Sequence, residues 1–107
     1  MATTTIDPTA RLITLINVFE VGADRQDELV RLLEQATGEI MRQQPGFVSA
    51  NIHKSLDGRH VANYAQWSSK ADFERMLQNP EAQQHMGRAR EIAKAEPILY
   101  EVVSVHR

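Results

Sequence analysis

The residues best suited to chemistry in this chain form one short motif, Asn63-Tyr64-Ala65-Gln66-Trp67. Side chains alternate along a strand, so Asn63, Ala65 and Trp67 share one face. Tyr64 is expected to face the helices as part of the core. The amide of Asn63 can donate a hydrogen bond to an oxyanion that forms during a reaction. The ring of Trp67, the single Trp of the chain, can form a stacking wall or donate its N–H. The motif therefore suits a flat, apolar, oxygenated ligand.

Two further polar residues lie within apolar sequence. Asn17 stands between Ile16 and Val18 in the middle of a predicted strand, and a buried amide must find a partner. A ligand, a contact across a dimer or a buried water could each supply it. His85 lies on the apolar stripe of a predicted helix. Because imidazole exchanges protons near neutral pH, His85 is a candidate proton acceptor, with a hydrogen-bonded core histidine as the alternative.

The composition narrows the class of protein. The 107 residues suffice for one domain with a modest core, and 42% hydrophobic and 24% charged residues are typical of globular proteins. A net charge of −2 without a basic stripe argues against a nucleic-acid partner. The absence of Cys excludes disulfides and thiolate chemistry, and the four scattered His residues predict no metal site. No signal peptide or membrane span is predicted, so the expected location is the cytoplasm, with no membrane partner.

The elements that position these residues follow from hydrophobic periodicity and from turn residues. Residues 1–10 are expected to form a flexible arm, and residues 11–107 form a single domain. Strands are predicted over residues 11–21, 47–55, 59–67 and 98–105, with Asp57-Gly58 as the turn of a hairpin. Helices are predicted over residues 23–44 and over two segments that begin after Ser69 and Asn79 as N-caps and end before Pro97.

The order β-α-β-β-α-β predicts an α+β, ferredoxin-like fold with a four-stranded antiparallel sheet. Both helical layers cover one face of this sheet. The other face still carries Ile13, Leu15 and Phe19, or their alternates along the strand, and an apolar face of this kind needs a cover. A second copy of the chain is the simplest cover, so the sequence predicts a homodimer through the sheet face.

Two segments carry a resemblance to a known family. PGFVSANIHKSLDG (residues 45–58) and VANYAQW (residues 61–67), followed by the capped helix with Phe73, resemble the antibiotic biosynthesis monooxygenase family over roughly residues 11–105. The resemblance implies a dimeric α+β barrel and an oxygenase that needs neither metal nor cofactor. It implies oxidation of an aromatic polyketide-like phenol or anthrone to a quinone with O₂.

The resemblance also assigns roles to particular residues. Asn63 and Trp67 match positions that line the substrate pocket of anthrone-oxidising members, and with His85 they are the predicted catalytic residues. Those members carry a Tyr where this chain has Phe73, so a phenol donor is lost. They also use an Arg on the second helix, and the matching region here holds His85, Met86 and Arg88. The predicted substrate-binding residues are Asn17, Phe73, Met76, Arg88 and Tyr100.

Two alternative functions remain open at this point. Haem-degrading relatives combine an Asn on the first strand with a Trp and a His on the second helical segment. Asn17 and His85 match two of these positions, but the Trp position falls at Met76. A barrel that binds a small molecule without catalysis, or assists another enzyme, is favoured by Phe73 and by the absence of a strong acid or base beside Asn63.

Overall fold

The structure is a computed structural model that describes residues 2–107. Its strands are β1 (Ile13–Val21), β2 (Phe47–Lys54), β3 (His60–Trp67) and β4 (Ala93–Glu101), and its α-helices are α1 (Gln26–Glu39), α2 (Lys70–Leu77) and α3 (Pro80–Ile92). The strands form one antiparallel sheet in the order β2-β3-β1-β4, which is the predicted ferredoxin-like α+β fold. Across the described range, no helix is both long and apolar enough to span a bilayer.

The starts of α2 and α3 are set by two capping residues, as predicted. Ser69 Oγ accepts a hydrogen bond from the Asp72 backbone N–H at 3.1 Å and donates to Asp72 Oδ2 at 3.0 Å. Asn79 Oδ1 accepts from the N–H groups of Glu81 and Ala82 at 2.9 and 3.1 Å. These contacts satisfy backbone donors that a helix leaves unpaired at its start, so they fix which side chains of α2 and α3 face the sheet.

The first helix is shorter than the predicted span of residues 23–44. It is flanked by two 3-10 turns, Ala23–Arg25 and Met41–Gln43, and α1 itself ends at Glu39. Gln44 is extended, with φ −76° and ψ 138°, because the following Pro45 disfavours helical geometry in the residue before it.

The predicted last strand is present, but its bounds differ from the predicted residues 98–105. β4 starts at Ala93, directly after α3, and ends at Glu101, so Pro97 lies inside the strand, opposite Asn17. β4 has a neighbour on one side only, at the edge of the sheet. Proline lacks the N–H of the strand ladder, and an edge strand is where a sheet tolerates that loss.

The sheet face beneath the helices carries the core. Leu15 and Phe19 of β1 are buried there, together with Val61, Ala65 and Trp67 of β3. The alternation along β3 thus places the apolar members of the motif toward the helices, where β1 supplies their packing partners.

The opposite sheet face, which no helix of the described residues covers and which is the open face of the sheet, carries the side chains that alternate with these residues along the strands. Its exposed apolar side chains include Val18 and Ile98, which are 41% and 44% exposed, and Ile16 lies beside Ile98 in the ladder. Leu15 and Phe19 therefore face the helices. The uncovered face carries the residues that alternate with them along β1, which is the second of the two possibilities that the sequence allowed.

Tyr64 also belongs to the open face, so its expected position toward the helices is wrong. It lies opposite Ile16 on one side and Asn51 on the other, and Asn51 Nδ2 donates to its backbone carbonyl at 2.9 Å. Because neighbouring side chains in a strand point to opposite faces, Asn63 toward the helices requires Tyr64 away from them.

The N-terminal arm crosses part of the open face. Thr4 Oγ1 donates to Asn51 Oδ1 of β2 at 2.6 Å. Gln66 Nε2 of β3 donates to the carbonyl of Thr5 at 2.8 Å, and Gln66 is buried. The arm therefore contacts the β2–β3 half of the face, while the exposed Val18, Ile98 and Tyr100 lie on the β1–β4 half.

Candidate functional site

A cavity of about 390 Å³ lies between the helices and the sheet face that they cover. Strands β1 to β4 and helices α1 to α3 all contribute to its walls, most of which are aliphatic or aromatic. Side chains with polar groups line it at Asn17, Thr37, Asn63, Trp67, His85 and Arg90. A largely apolar cavity with a few convergent polar groups and a volume within ~300–1,000 Å³ is typical of small-molecule sites.

Two amides meet at the centre of the sheet. Asn17 of β1 lies directly opposite Asn63 of β3, a pairing that brings Cβ atoms to ~4.5–5.5 Å. Both Oδ1 atoms are buried, and neither has a hydrogen-bond partner within residues 2–107. A buried polar atom without a partner costs about 1–3 kcal/mol, so two such amides facing one cavity indicate a ligand site rather than ordinary core.

Trp67 forms one end of the cavity and is held by two other aromatic rings. It is 2% exposed, and its ring centroid lies 5.6 Å from Phe47 and 6.0 Å from Phe73, both in edge-on geometry. Its Nε1 is buried and finds no acceptor in the described part of the chain. The indole is thus a fixed wall with an unused donor, and Phe73 supports it by packing alone.

His85 reaches the cavity from α3. The Asn79 cap and Pro80 at the first turn set the register of this helix, and His85, Met86, Ala89 and Arg90 then face the cavity. His85 Nδ1 is buried, with no partner among the residues that the structure describes. The site therefore holds one imidazole able to accept a proton from a bound ligand.

The structure brings together most of the residues predicted to bind substrate. Asn17, Phe73 and Met76 line the cavity with the predicted catalytic residues, but Arg88 and Tyr100 do not. Tyr100 is 43% exposed and lies opposite Thr14 on the open face. Its neighbour Leu99 faces the cavity instead, since side chains alternate along β4.

Arg88 is exposed on α3, and its predicted position in the cavity is wrong. The helical repeat brings side chains four residues apart to the same face, and Arg90 follows the cavity-lining Met86 by four. Arg90 and the half-buried Thr37 of α1 are the polar lining residues that the sequence prediction missed. The spacing from Met86 was the signal that could have found Arg90, and the spacing from Leu33 could have found Thr37.

The β2–β3 turn fixes the position of Asn63 through an ordered Asp. Asp57 Oδ1 accepts from Ser55 Oγ at 2.5 Å and from the Arg59 backbone N–H at 2.9 Å. These hydrogen bonds, that from Ser55 first, lower the pKa of the Asp57 carboxyl to about 2. The turn sets the hairpin register, and that register carries Asn63 to the cavity side of β3.

The arrangement offers hydrogen-bond donors and a proton acceptor within apolar walls. No carboxylate lines the cavity in the described range, and no three His, Asp or Glu side chains in residues 2–107 converge into a metal-binding group. Donors in an enclosed apolar site act more strongly on a developing charge than they would in water. The cavity can therefore hold a flat aromatic molecule and stabilise an oxyanion formed on it.

Comparison with known proteins gives consistent matches. A family model described as antibiotic biosynthesis monooxygenase matches residues 12–88. Tetracenomycin-F1 monooxygenase of Streptomyces glaucescens is 47% identical over 98 residues, which cover 92% of this chain and 88% of that protein.

The solved structures that are similar to this one include two oxygenases of Streptomyces. The ActVA-Orf6 monooxygenase of Streptomyces coelicolor, crystallised in complex with nanaomycin D, matches with a TM-score of 0.83 at 25% identity, over 92% of this chain and 94% of that chain. SnoaB of Streptomyces nogalater, a cofactor-independent oxygenase, matches with a TM-score of 0.79 at 26% identity, over 89% of this chain and 96% of that chain.

Proposed function

The chain belongs to the antibiotic biosynthesis monooxygenase family, and on that premise we propose that it is a cofactor-independent monooxygenase. It oxidises an aromatic polyketide-like phenol or anthrone to a quinone with O₂. One observation carries the proposal: Asn17, Asn63, Trp67 and His85 each present a buried polar atom to one apolar cavity, and none of these atoms has a partner within the described residues.

The first step is proton removal from the substrate. In an anthrone, His85 accepts a proton from the central methylene carbon. The negative charge that remains spreads to the ring oxygen, where Asn63 donates a hydrogen bond. Trp67 forms the wall against which the ring system stacks, while the other apolar side chains keep water out.

Oxygen then reacts with the carbanion directly. The carbanion passes one electron to O₂, and the resulting radical pair combines into a C–O bond, which gives a peroxide. Loss of the second proton from the same carbon breaks the O–O bond. One oxygen atom remains as the quinone carbonyl and the other leaves as water, so the electrons balance without an added reductant.

The relatives support this choice of substrate. One is a monooxygenase of tetracenomycin F1, and another was crystallised with nanaomycin D. The cavity here has the apolar walls and the paired amides that a fused aromatic ring with a reactive oxygen requires.

A homodimer through the open sheet face is part of the proposal. The exposed apolar side chains of the β1–β4 half support it, because Val18, Ile98 and Tyr100 form a face that a second copy could cover. A cytoplasmic location also belongs to the proposal, in keeping with the biosynthetic names of the relatives, and cell fractionation tests it.

Oxygen uptake by chelator-treated protein tests the proposed activity. With a tricyclic anthrone as substrate, we expect uptake above a blank without protein and formation of the anthraquinone. Asn63→Ala should lose most of this uptake, whereas His53→Ala, an exposed histidine on β2, should keep it. Uptake equal to the blank, with the anthrone bound, would favour the alternative of a binding protein without catalysis.

A further inference from the structure

The methionines of the chain are concentrated at the cavity. Apart from Met1, the chain has three, Met41, Met76 and Met86, and all three line the cavity. Met76 belongs to the hydrophobic cluster that contains Trp67, and Met41 and Met86 pack against that cluster. They come from three different helical segments of the chain. Their side chains therefore converge on the half of the cavity that contains Trp67.

A thioether can take an oxygen atom from a peroxide. Sulfur is polarisable and gives up an electron pair readily, and the product is methionine sulfoxide. Thiols react in a similar way, but the chain has no Cys. The methionine sulfur atoms are therefore the groups of the cavity wall that are most readily oxidised in a two-electron step.

The proposed reaction forms a suitable oxidant inside the cavity. The peroxide arises on the carbon from which His85 removes a proton. Met86 is the next residue of α3, and both side chains line the cavity. Met76 is 4% exposed, so an oxidant in bulk solvent has little access to it. A peroxide held in the cavity, in contrast, lies against the same wall as the Met76 side chain.

We propose that Met41, Met76 and Met86, the cavity methionines, are a site of oxidative modification at which the peroxide of the bound substrate is intercepted. The sulfur electron pair attacks the outer oxygen of the peroxide, the O–O bond breaks and an S–O bond forms. The substrate alkoxide that leaves takes the proton of the outer oxygen and becomes an alcohol. Sulfur thus loses two electrons and the peroxide gains them. The inference rests on the proposed function for the origin of the peroxide.

Oxidation of the cavity methionines should end catalysis in the molecule that carries it. A sulfoxide is polar and chiral, whereas the methionine it replaces is apolar and flexible. It places a strong hydrogen-bond acceptor in the apolar half of the cavity, where the aromatic substrate packs. Activity should therefore decline with the number of turnovers completed rather than with the time of incubation.

Peptide mapping by mass spectrometry after turnover under ¹⁸O₂ tests the inference. Leu56→Met supplies a reference methionine, because position 56 is fully exposed in the hairpin turn and does not line the cavity. The substrate is a tricyclic anthrone, and catalase removes free hydrogen peroxide. We expect ¹⁸O-labelled sulfoxide at the cavity methionines and none at the reference methionine. Oxidation in air during preparation of the peptides adds ¹⁶O and is therefore distinguished.

A second measurement needs no turnover. The Leu56→Met protein, without substrate, is treated either with cumene hydroperoxide, an apolar aromatic hydroperoxide, or with hydrogen peroxide. We expect cumene hydroperoxide to oxidise the cavity methionines before the reference methionine, because it binds in the apolar cavity. Hydrogen peroxide should oxidise the reference methionine first, since access from bulk solvent then decides the order.

Removal of the three sulfur atoms tests the effect on catalysis. Leu replaces Met at nearly constant volume, so the combined variant Met41→Leu, Met76→Leu and Met86→Leu disturbs the packing little. It should complete more turnovers than the wild type before its activity is lost. Loss of activity after the same number of turnovers would overturn the inference.

The labelling experiment separates failure of this inference from failure of the proposed function. Labelled quinone with unlabelled cavity methionines would overturn the inference and leave the proposed function intact. Equal labelling of the reference methionine, or a reference methionine that reacts first with cumene hydroperoxide, would also overturn it. If no quinone forms, the proposed function fails, and the order of oxidation by cumene hydroperoxide alone decides whether the cavity methionines are such a site.

Discussion

Asn17 and Asn63 present the same amide group from neighbouring strands, but they have different roles in the proposed reaction. Asn63 belongs to the motif strand that also carries Trp67, and it donates to charge that appears only during the reaction. Asn17 is its partner across the ladder and contacts the substrate in the ground state and the transition state alike. An interaction made equally in both states improves binding without raising turnover.

This difference predicts that the same substitution, Asn to Ala, changes a different kinetic parameter at each of the two positions. Asn63→Ala should lower kcat by about 10²-fold with a small change in KM, as the loss of an oxyanion donor does. Asn17→Ala should mainly raise KM. Steady-state oxygen-uptake kinetics of both variants measure the split, and an effect of Asn63→Ala confined to KM would contradict its assigned role.

At the scale of single elements, the loop before β2 depends on one glycine. Gly46 has φ +84°, and an added Cβ would lie 2.3 Å from the Asp72 side chain, which caps α2 with Ser69. Gly46→Ala should lower the free energy of unfolding by about 2 kcal/mol or more, through the strained backbone and the displaced cap. Urea unfolding measures the change.

Gly38 in α1 is the matched control for this substitution. A Cβ added there meets no described atom within 4 Å, and Gly in a helix interior is less favourable than Ala. Gly38→Ala should therefore stabilise the protein by about 0.5–1 kcal/mol. Equal changes in the free energy of unfolding for the two substitutions would contradict the strained backbone at Gly46 and the open helix interior at Gly38.

The β2–β3 turn makes stability depend on acid pH. The pKa of Asp57 is lowered from 3.8 to about 2, chiefly by the Ser55 hydrogen bond. Its carboxylate therefore stabilises the fold fully above pH 3.8, and this contribution is lost as the pH falls toward 2. Asp57→Asn should lower Tm at pH 7 and converge with the wild type near pH 2. Thermal unfolding followed by circular dichroism measures this gap, and a gap of the same size at pH 7 and at pH 2 would contradict the role of the carboxylate.

The sequence predicts elements best where one side chain determines the local backbone. Ser69 and Asn79 set their helix starts, and Asp57-Gly58 sets the hairpin, so these positions are as expected. The bounds of the last strand are not as expected, because a proline such as Pro97 usually indicates the end of an element when only the local sequence is considered. Only the sheet order, which puts that strand at an edge, explains why a proline fits inside it.

The candidate site is likewise predictable from the sequence only where local alternation of side chains is sufficient. Alternation along β3 suffices to group Asn63 with Trp67, since it needs no tertiary contact. The rotation of α3 decides whether Arg88 or Arg90 faces the cavity, and the register of β4 decides the same for Tyr100. Both are set by packing against the rest of the sheet. Sequence alone could not show which buried polar atoms lack partners, because that depends on every neighbour at once.

The proposed dimer covers the half of the open face that the arm leaves free. Ile98 is 44% exposed at its centre, so Ile98→Lys should place a charge in the interface and yield monomers in sedimentation analysis. Leu56→Lys, in the fully exposed hairpin turn, should leave the dimer intact. A wild type that sediments as a monomer would contradict the proposed assembly.

Isotope labelling tests whether this cavity oxygenates an aromatic substrate without a cofactor. Chelator-treated protein is given a tricyclic anthrone under ¹⁸O₂, and the quinone is analysed by mass spectrometry. We expect one ¹⁸O atom in each quinone molecule, formed faster than in the blank and much more slowly by Asn63→Ala. A quinone without label, or one that forms no faster than in the blank, would contradict the proposed oxygenation.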